Sequence, residues 1–458
     1  MGLALGLAVV LAVAAGRWLP RPAAARVADG DRPHVVLIVL DTLRADRLGC
    51  YGGPPGVSPE LDRLAREGVR FDRAIAQSPW TRPSVGSFLT SQYPRTLGIH
   101  VEKWDPLGSR FPTLPEVLRA QGYRTLGATA NPNINSSFGF DRGFDVHFDS
   151  NVVWEWMGPD AKQQAYEEGH LPLARDRMSL LLEAMDAETP ADRRKPHYLQ
   201  LNVMEVHEAF KNKPILRAEH RHAFEGRRDA PYLRTIRQVS QDVGWFMERL
   251  ARRPGWDDVV YVILSDHGEG LHDHPHVANS FWHGHLLYES NLRVPFMMHA
   301  TSRGRLPEGR VVRRPVRLLD TMPTLLEVLS IEAPPGIVGH SLRPVLEDPA
   351  APLPLPDRFA VETRFRGADK IGFYGRDWKY FEHRDGHRGT APKELQPVGA
   401  GEDGARTSVA REHPERVREL ARELRAWERD HPMGEPAVRD QEVSADEVEQ
   451  LRSLGYVR

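Results

Sequence analysis

The chain has 458 residues, 40% of them hydrophobic and 27% charged, which is enough apolar material for a large core and at least one big soluble domain. A net charge of -2 gives no bulk attraction to nucleic acid or to anionic lipid, so nucleic acid is excluded as a partner. One cysteine, Cys50, rules out an intramolecular disulfide framework and a cysteine-based zinc cluster, while 20 histidines direct metal chemistry toward oxygen and imidazole ligands.

Met1 to Ala15 carry no charged side chain and are mostly Leu, Ala, Val and Gly. The run is shorter than the ~20 residues of a spanning helix and suits a signal-peptide apolar region, with Ala12-Val13-Ala14 or Ala23-Ala24-Ala25 as cleavage sites. No Lys or Arg precedes it, and Arg17 and Arg21 follow. Residues 1–30 are expected to be a signal peptide or membrane anchor, making the protein exported (periplasmic or extracellular) or membrane-associated. Residues 31–347 are then expected to form the main domain, 348–406 a small C-terminal subdomain, and 407–458 a charged helical tail.

His34 to Leu40 is a continuous apolar run, read as a strand buried on both faces and ending at Asp41. His197 to Val203 is read as another buried strand, followed by Met204-Glu205-Val206-His207. Val259 to Leu264 is a third, followed by Ser265-Asp266-His267-Gly268-Glu269. Helical periodicity is predicted over Pro59 to Glu67, Leu114 to Gln121, Tyr232 to Ala251 and Leu319 to Leu329. Arg358 to His383 reads as a small antiparallel sheet. The fold class is therefore α/β: a large mixed, mainly parallel sheet flanked by helices, then a small antiparallel sheet and a helical tail. Each buried strand delivers polar residues at its C-terminal end, the edge where open α/β sheets build sites.

Asp41 directly after a strand is either a metal ligand or a cap for the next turn, and Asp266 with His267 after another strand favours the ligand reading. Thr81-Arg82-Pro83-Ser84 reads as a helix start. Thr81 could cap that helix, or act as a nucleophile where backbone N–H groups stabilise an anion. The cluster His272, Asp273, His274 and His276 reads as a solvated, Pro-containing loop, and Cys50 as structural.

Together these motifs resemble the sulfatase family of the alkaline-phosphatase superfamily. Asp41-Thr42-Leu43-Arg44-Ala45-Asp46 with Leu48-Gly49-Cys50-Tyr51-Gly52 looks like its first metal segment. Thr81-Arg82-Pro83-Ser84-Val85-Gly86 looks like its nucleophile segment, and Ser265-Asp266-His267-Gly268-Glu269, with Tyr288-Glu289 to Arg293-Val294-Pro295, like its later metal segment. The resemblance runs from about His34 to Leu346.

The resemblance implies a divalent metal held by Asp41, Thr81, Asp266 and His267, and catalysis by Thr81 with His207 and His285. Oxygen ligands alone suit Ca²⁺ or Mg²⁺, and adding His267 moves the balance toward Mn²⁺ or Zn²⁺. The chain departs from the family pattern in several places. Threonine stands at 81 where the family has a modified cysteine, so no formylglycine forms. Thr42 replaces a second aspartate and Val85 an arginine. Thr125 to Asn133 lack the family's Gly-Lys-Trp-His segment, leaving Arg82, Asn131 or a second metal to compensate. The expected activity is hydrolysis of a sulfate or phosphate ester through a covalent threonine intermediate. The rival readings are a phosphoethanolamine-type transferase and an inactive sulfatase-like binding protein.

Overall fold

Three long buried strands form the centre of the main sheet in the computed structural model, which describes residues 32–99, 104–152, 156, 158, 173–210, 216–386, 388–398, 407–438 and 442–453. The expected signal or anchor segment, residues 1–30, lies outside them. Strand β1 (His34–Leu40) pairs in parallel with β6 (His197–Val203) on one side and β7 (Val259–Leu264) on the other. All three strands have the limits read from the sequence. β1 and β7, covered on both faces, carry no polar alternation, while β6 buries Gln200 and Asn202 among its apolar residues.

The eight-stranded sheet also holds β2 (Val69–Phe71), β4 (Arg124–Ala128), β5 (Val146–Phe148), β9 (Phe296–Ala300) and β10 (Arg310–Val312), in the order β10-β2-β9-β7-β1-β6-β4-β5. Only β9 runs against its neighbours, antiparallel to both β7 and β2. A three-stranded sheet joins β3 (Ala74–Ile75), β8 (Arg293–Val294) and β11 (Val316–Arg317). Strands β12 (Arg358–Thr363), β13 (Lys370–Gly375), β14 (Trp378–His383) and β15 (Lys393–Pro397) form the expected antiparallel meander.

Alternation along β1 divides the core. Val35, Leu37 and Val39 face the layer containing Val85, Phe88 and Leu89 of α2 (Thr81–Thr90). Val36, Ile38 and Leu40 face α1 (Pro59–Glu67) and α5 (Ala230–Ala251). The apolar positions of α5 recur at helical spacing, from Tyr232 through Ile236, Val239, Val243 and Phe246 to Leu250, so one stripe covers the sheet. Helix α3 (Leu114–Ala120) is set by a capping box: the Thr113 side chain accepts the Glu116 N–H, and Glu116 accepts the Thr113 N–H. The remaining helices are α4 (Ala174–Asp186), α6 (Glu289–Leu292), α7 (Thr321–Val328), α8 (Arg343–Glu347), α9 (Pro414–Asp430) and α10 (Ala445–Ser453).

The charged tail is not one helix. α9 lays Leu420 and Leu424 on the small sheet against Phe373, Tyr380 and Leu395. Residues 431–438 run past Arg95 to Gly98, with the Gly434 N–H on the Arg95 carbonyl at 2.8 Å. α10 then places Leu451 in the main core. Among the described residues no helix is long and apolar enough to cross a membrane.

Candidate active site

The parallel register of β1, β6 and β7 brings their C-terminal ends to one edge, and the polar residues that follow meet there. The Asp41 N–H continues the ladder onto the Val203 carbonyl at 2.9 Å. Thr42 follows with φ +59°, a left-handed conformation that a β-branched residue adopts only under constraint. The constraint is local. The Thr42 N–H donates to Asp266 Oδ1 at 3.3 Å, its hydroxyl to the Asp41 carbonyl at 2.7 Å, and the Tyr232 hydroxyl to the Thr42 carbonyl at 2.5 Å. This sharp turn presents Asp41 to the site while Thr42 itself contributes no carboxylate.

After β7, Ser265 ties the second turn to the first: its Oγ accepts the Leu43 N–H and donates to the His267 carbonyl. Asp266 Oδ1 accepts the His267 N–H at 2.9 Å. His267 Nδ1 lies 3.0 Å from the Gly268 carbonyl, which can only accept, so the proton is on Nδ1 and Nε2 carries the lone pair. Burial lowers the His267 pKa and keeps that neutral form.

Gly268 packs against α6 so closely that a Cβ there would stand 2.0 Å from the Ser290 carbonyl oxygen. Gly268→Ala is therefore expected to destabilise the protein by about 1–3 kcal/mol and to displace His267, read as a lower thermal midpoint together with weaker metal binding. An unchanged midpoint would show that the 268–290 contact is loose.

Helix α2 meets the edge with its N-terminus. Trp80 is the capping residue and makes no side-chain cap bond; Thr81 is the first helical residue, so the simple cap reading of Thr81 does not hold. Ser84 anchors the helix by donating to the Asp266 carbonyl at 2.6 Å. Thr81 Oγ1 lies 3.3 Å from His267 Nε2 and accepts the Asn131 side-chain N–H at 3.2 Å. The same Asn131 amide donates to Asp41 Oδ2 at 2.7 Å.

Ligand atoms of Asp41, Asp266 and His267 all lie within 4.8 Å of one another. Asp41 Oδ1 and Asp266 Oδ2 are buried without any hydrogen-bond partner. Burial, and then the neighbouring Asp266, pushes the Asp41 carboxyl up to about 6; burial pushes Asp266 up to about 7. Two orphaned carboxylate oxygens and an imidazole lone pair converging in a buried space fit a divalent cation, since buried carboxylates are otherwise costly.

A protein-family model described as Sulfatase matches residues 33–331. The chain belongs to the sulfatase family. This sulfatase-family chain is 24% identical over 349 residues to an ulvan-active sulfatase of Formosa agariphila and 26% identical over 359 residues to human N-acetylgalactosamine-6-sulfatase. In both cases 69% of this chain aligns with 66% of the relative, just under two thirds of those proteins' own length. Among solved structures, the phosphonate monoester hydrolase of Agrobacterium radiobacter superposes with a TM-score of 0.69 at 18% identity, covering 88% of this chain and 96% of that one. The fold is that of the alkaline-phosphatase-like hydrolases.

Other expected residues of this family member fall differently. His207 is fully buried, its Nδ1 paired with Glu208 and its ring 5.0 Å from that of His283. It is His283, not His285, whose ring lies 4.6 Å from His267, and Glu269 Oε2 holds the His283 Nδ1 at 3.0 Å. His285 packs edge-on against Phe365 at 5.2 Å. Gly284, at φ +88°, separates the two histidines, and a Cβ there would meet the Phe365 ring at 2.4 Å. That left-handed turn gives His283 the place expected for His285.

Arg82 does not replace the missing basic groups, because its guanidinium bonds Asn133, at 3.0 and 3.2 Å, and lies 3.7 Å over the Phe138 ring. Asn131, by contrast, reaches the nucleophile, its side-chain N–H on Thr81 Oγ1. The 272–276 loop is also less solvated than its composition implies. His274 is buried on Tyr288, with ring centroids 4.7 Å apart, and Asp273 pairs with Arg44 at 2.6 Å.

Proposed function

We propose that this chain is a metal-dependent hydrolase of sulfate or phosphate esters that works through a covalent intermediate on Thr81. The observation that carries the reading is the convergence of Asp41, Asp266 and His267, with orphaned oxygens, on the hydroxyl at the N-terminus of α2. Relatives that include an arylsulfatase, an N-acetylgalactosamine-6-sulfatase and a multifunctional alkaline phosphatase superfamily protein support this class of ester.

A divalent ion held by Asp41, Asp266, His267 and Thr81 would supply Lewis-acid stabilisation of the substrate's anionic oxygens. Everything else is done by the chain. Asn131 donates a hydrogen bond to Thr81 Oγ1 and so stabilises that oxygen as it gains negative charge. In the first turn of α2 only the Thr81 and Arg82 N–H groups would add to this, since Pro83 has none and the Ser84 N–H is on the Trp80 carbonyl. Glu208 orients His207 through Nδ1, and Glu269 orients His283 likewise. In each ring Nε2 is therefore the nitrogen that would exchange a proton with the leaving oxygen. Water then cleaves the threonine ester, because a plain hydroxyl nucleophile cannot expel its group by elimination. Entry to this chemistry from an exported or membrane-anchored location, through residues 1–30, is part of the same proposal.

The test is a panel of aryl sulfate, phosphate monoester, phosphodiester and phosphonate substrates, each with Ca²⁺, Mg²⁺, Mn²⁺ and Zn²⁺. Rapid acid quench and peptide mass spectrometry follow on whichever is turned over. Turnover that needs added metal, with a sulfate- or phosphate-sized adduct on the peptide containing Thr81, is expected. Metal-independent turnover, or an adduct elsewhere, would remove the assignment.

A further inference from the structure

Helix α10 belongs by sequence to a charged tail, yet it packs on the 3₁₀ turns that follow Asn131. Ser444 and Glu447 form its capping box, with the Ser444 N–H on Glu447 Oε2 at 3.0 Å and the Glu447 N–H on Ser444 Oγ at 3.2 Å. The other carboxylate oxygen, Oε1, points off the helix and accepts Asn135 Nδ2–H and Ser137 Oγ–H, each at 2.9 Å. Glu447 is only 6% exposed, so these donors offset the burial of its charge. One turn on, Ser150 Oγ donates to Gln450 at 2.8 Å, and Leu451, 1% exposed, seats the helix in the core beside Ile134 and Phe138.

The segment gripped in this way is the one that carries Asn131. It consists of two single 3₁₀ turns, Pro132–Ile134 and Ser136–Phe138, which are too short to hold themselves. On its inner side Asn133 donates twice to Asn131 Oδ1, from its backbone at 2.9 Å and its side chain at 3.0 Å. With Oδ1 occupied by donors, the Asn131 amide has one orientation: Nδ2 faces Asp41 Oδ2 and Thr81 Oγ1. An unbroken path thus runs from Glu447 through Asn135 and the 3₁₀ turns to Asn133, Asn131 and the nucleophile.

We propose that α10 is a strap that fixes Asn131 on Thr81 and Asp41, with Glu447 as its positioning residue. The strap acts on the reaction assigned under the proposed function, and so rests on that reading. Glu447 stands outside the Asp41, Asp266 and His267 cluster, and its effect passes through the direction of one amide.

Four variants of the full chain test it: Glu447→Ala, Glu447→Gln, Asn131→Ala and the double variant Glu447→Ala with Asn131→Ala. Glu447→Ala is expected to lower kcat about 10-fold with KM little changed, the scale seen when groups behind a site residue are lost. Glu447→Gln keeps an acceptor oxygen for Asn135 and Ser137 and should recover most of kcat. In the Asn131→Ala background, Glu447→Ala should add no further loss. Amide hydrogen exchange over residues 131–138 should quicken in Glu447→Ala while β1 stays protected. Unchanged kcat in folded Glu447→Ala, losses that multiply in the double variant, or unchanged exchange over 131–138 would each overturn the strap. If the wild type cleaves no ester, the hydrolase reading fails, and hydrogen exchange still decides the strap.

Discussion

Thr81→Ala is expected to lower kcat by about 10⁴-fold or more, the scale of removing a covalent nucleophile, while bound metal stays near wild type. The fold should survive. Alanine is a good residue at the first position of α2, and what is lost is the pair of contacts to Asn131 and His267, about 1–3 kcal/mol for a buried site. Thr81→Ser retains the hydroxyl and should keep turnover within about 10-fold of wild type. Thr81→Cys should yield no formylglycine enzyme, and completing the family motif with Val85→Arg is closed as a route. Val85 is fully buried against the core beneath α2, where an arginine would be an unpaired buried charge. The measurement is turnover beside circular dichroism and metal content for each variant. A fully active Thr81→Ala protein would leave direct attack by water as the mechanism.

Asp266→Asn is the second large effect, and it separates charge from turn geometry. Asparagine keeps an oxygen to accept the Thr42 and His267 N–H groups, so a residue that only caps the turn would tolerate the change. A residue that supplies half of a buried dicarboxylate would not. Metal affinity is expected to fall by more than the roughly 10–100-fold typical of outer-shell partners, and activity with it.

Without metal the sign reverses. Asp41 and Asp266 repel one another, so chelated Asp266→Asn should melt no lower than chelated wild type. Both carboxyls have folded pKa values, about 6 and about 7, above the ordinary carboxylate value. The metal-free folded state therefore holds protons that the unfolded chain has released. Its stability should be full below about pH 4 for these two groups and fall as pH rises through 6 and 7. Thermal melts of chelated protein from pH 5 to 8 check this: a midpoint that rises across that range would contradict the buried-pair geometry.

The sequence made the scaffold legible because burial on both faces leaves a signature in one dimension. Val35–Leu40 and Val259–Leu264 are unbroken apolar runs; Asp41 follows the first directly, and Asp266 and His267 follow the second after Ser265. What it hid depends on turns and on partners far along the chain. Asn131 sits in no periodic element and reaches the site only because Asn133 orients it. The choice between His283 and His285 is made by the left-handed Gly284 and the Phe365 ring, which comes from the β12–β13 connection of the small sheet. The charge-rich tail reads only as helical, because nothing local shows that Glu447 has its partners at Asn135 and Ser137, about 310 residues earlier. Arg82 looks available for an anion until Asn133 and Phe138 are seen to hold it.

The sheet order has a consequence for biosynthesis. β1 is the first strand made and lies at the centre, but both its neighbours come late: β6 ends at Val203 and β7 at Leu264. At ribosomal rates of about 5–20 residues per second, on the order of 10–45 s passes between completion of β1 and completion of β7. Until β6 is complete this strand has neither hydrogen-bonding edge covered, and one edge stays open until β7 emerges, the kind of segment that seeds intermolecular pairing. Asp41 is made early but has no counterpart until Asp266 emerges, so metal capture waits for the end of this interval. Chains stalled before Val259 should depend on holding chaperones for solubility, and released full-length chains should not.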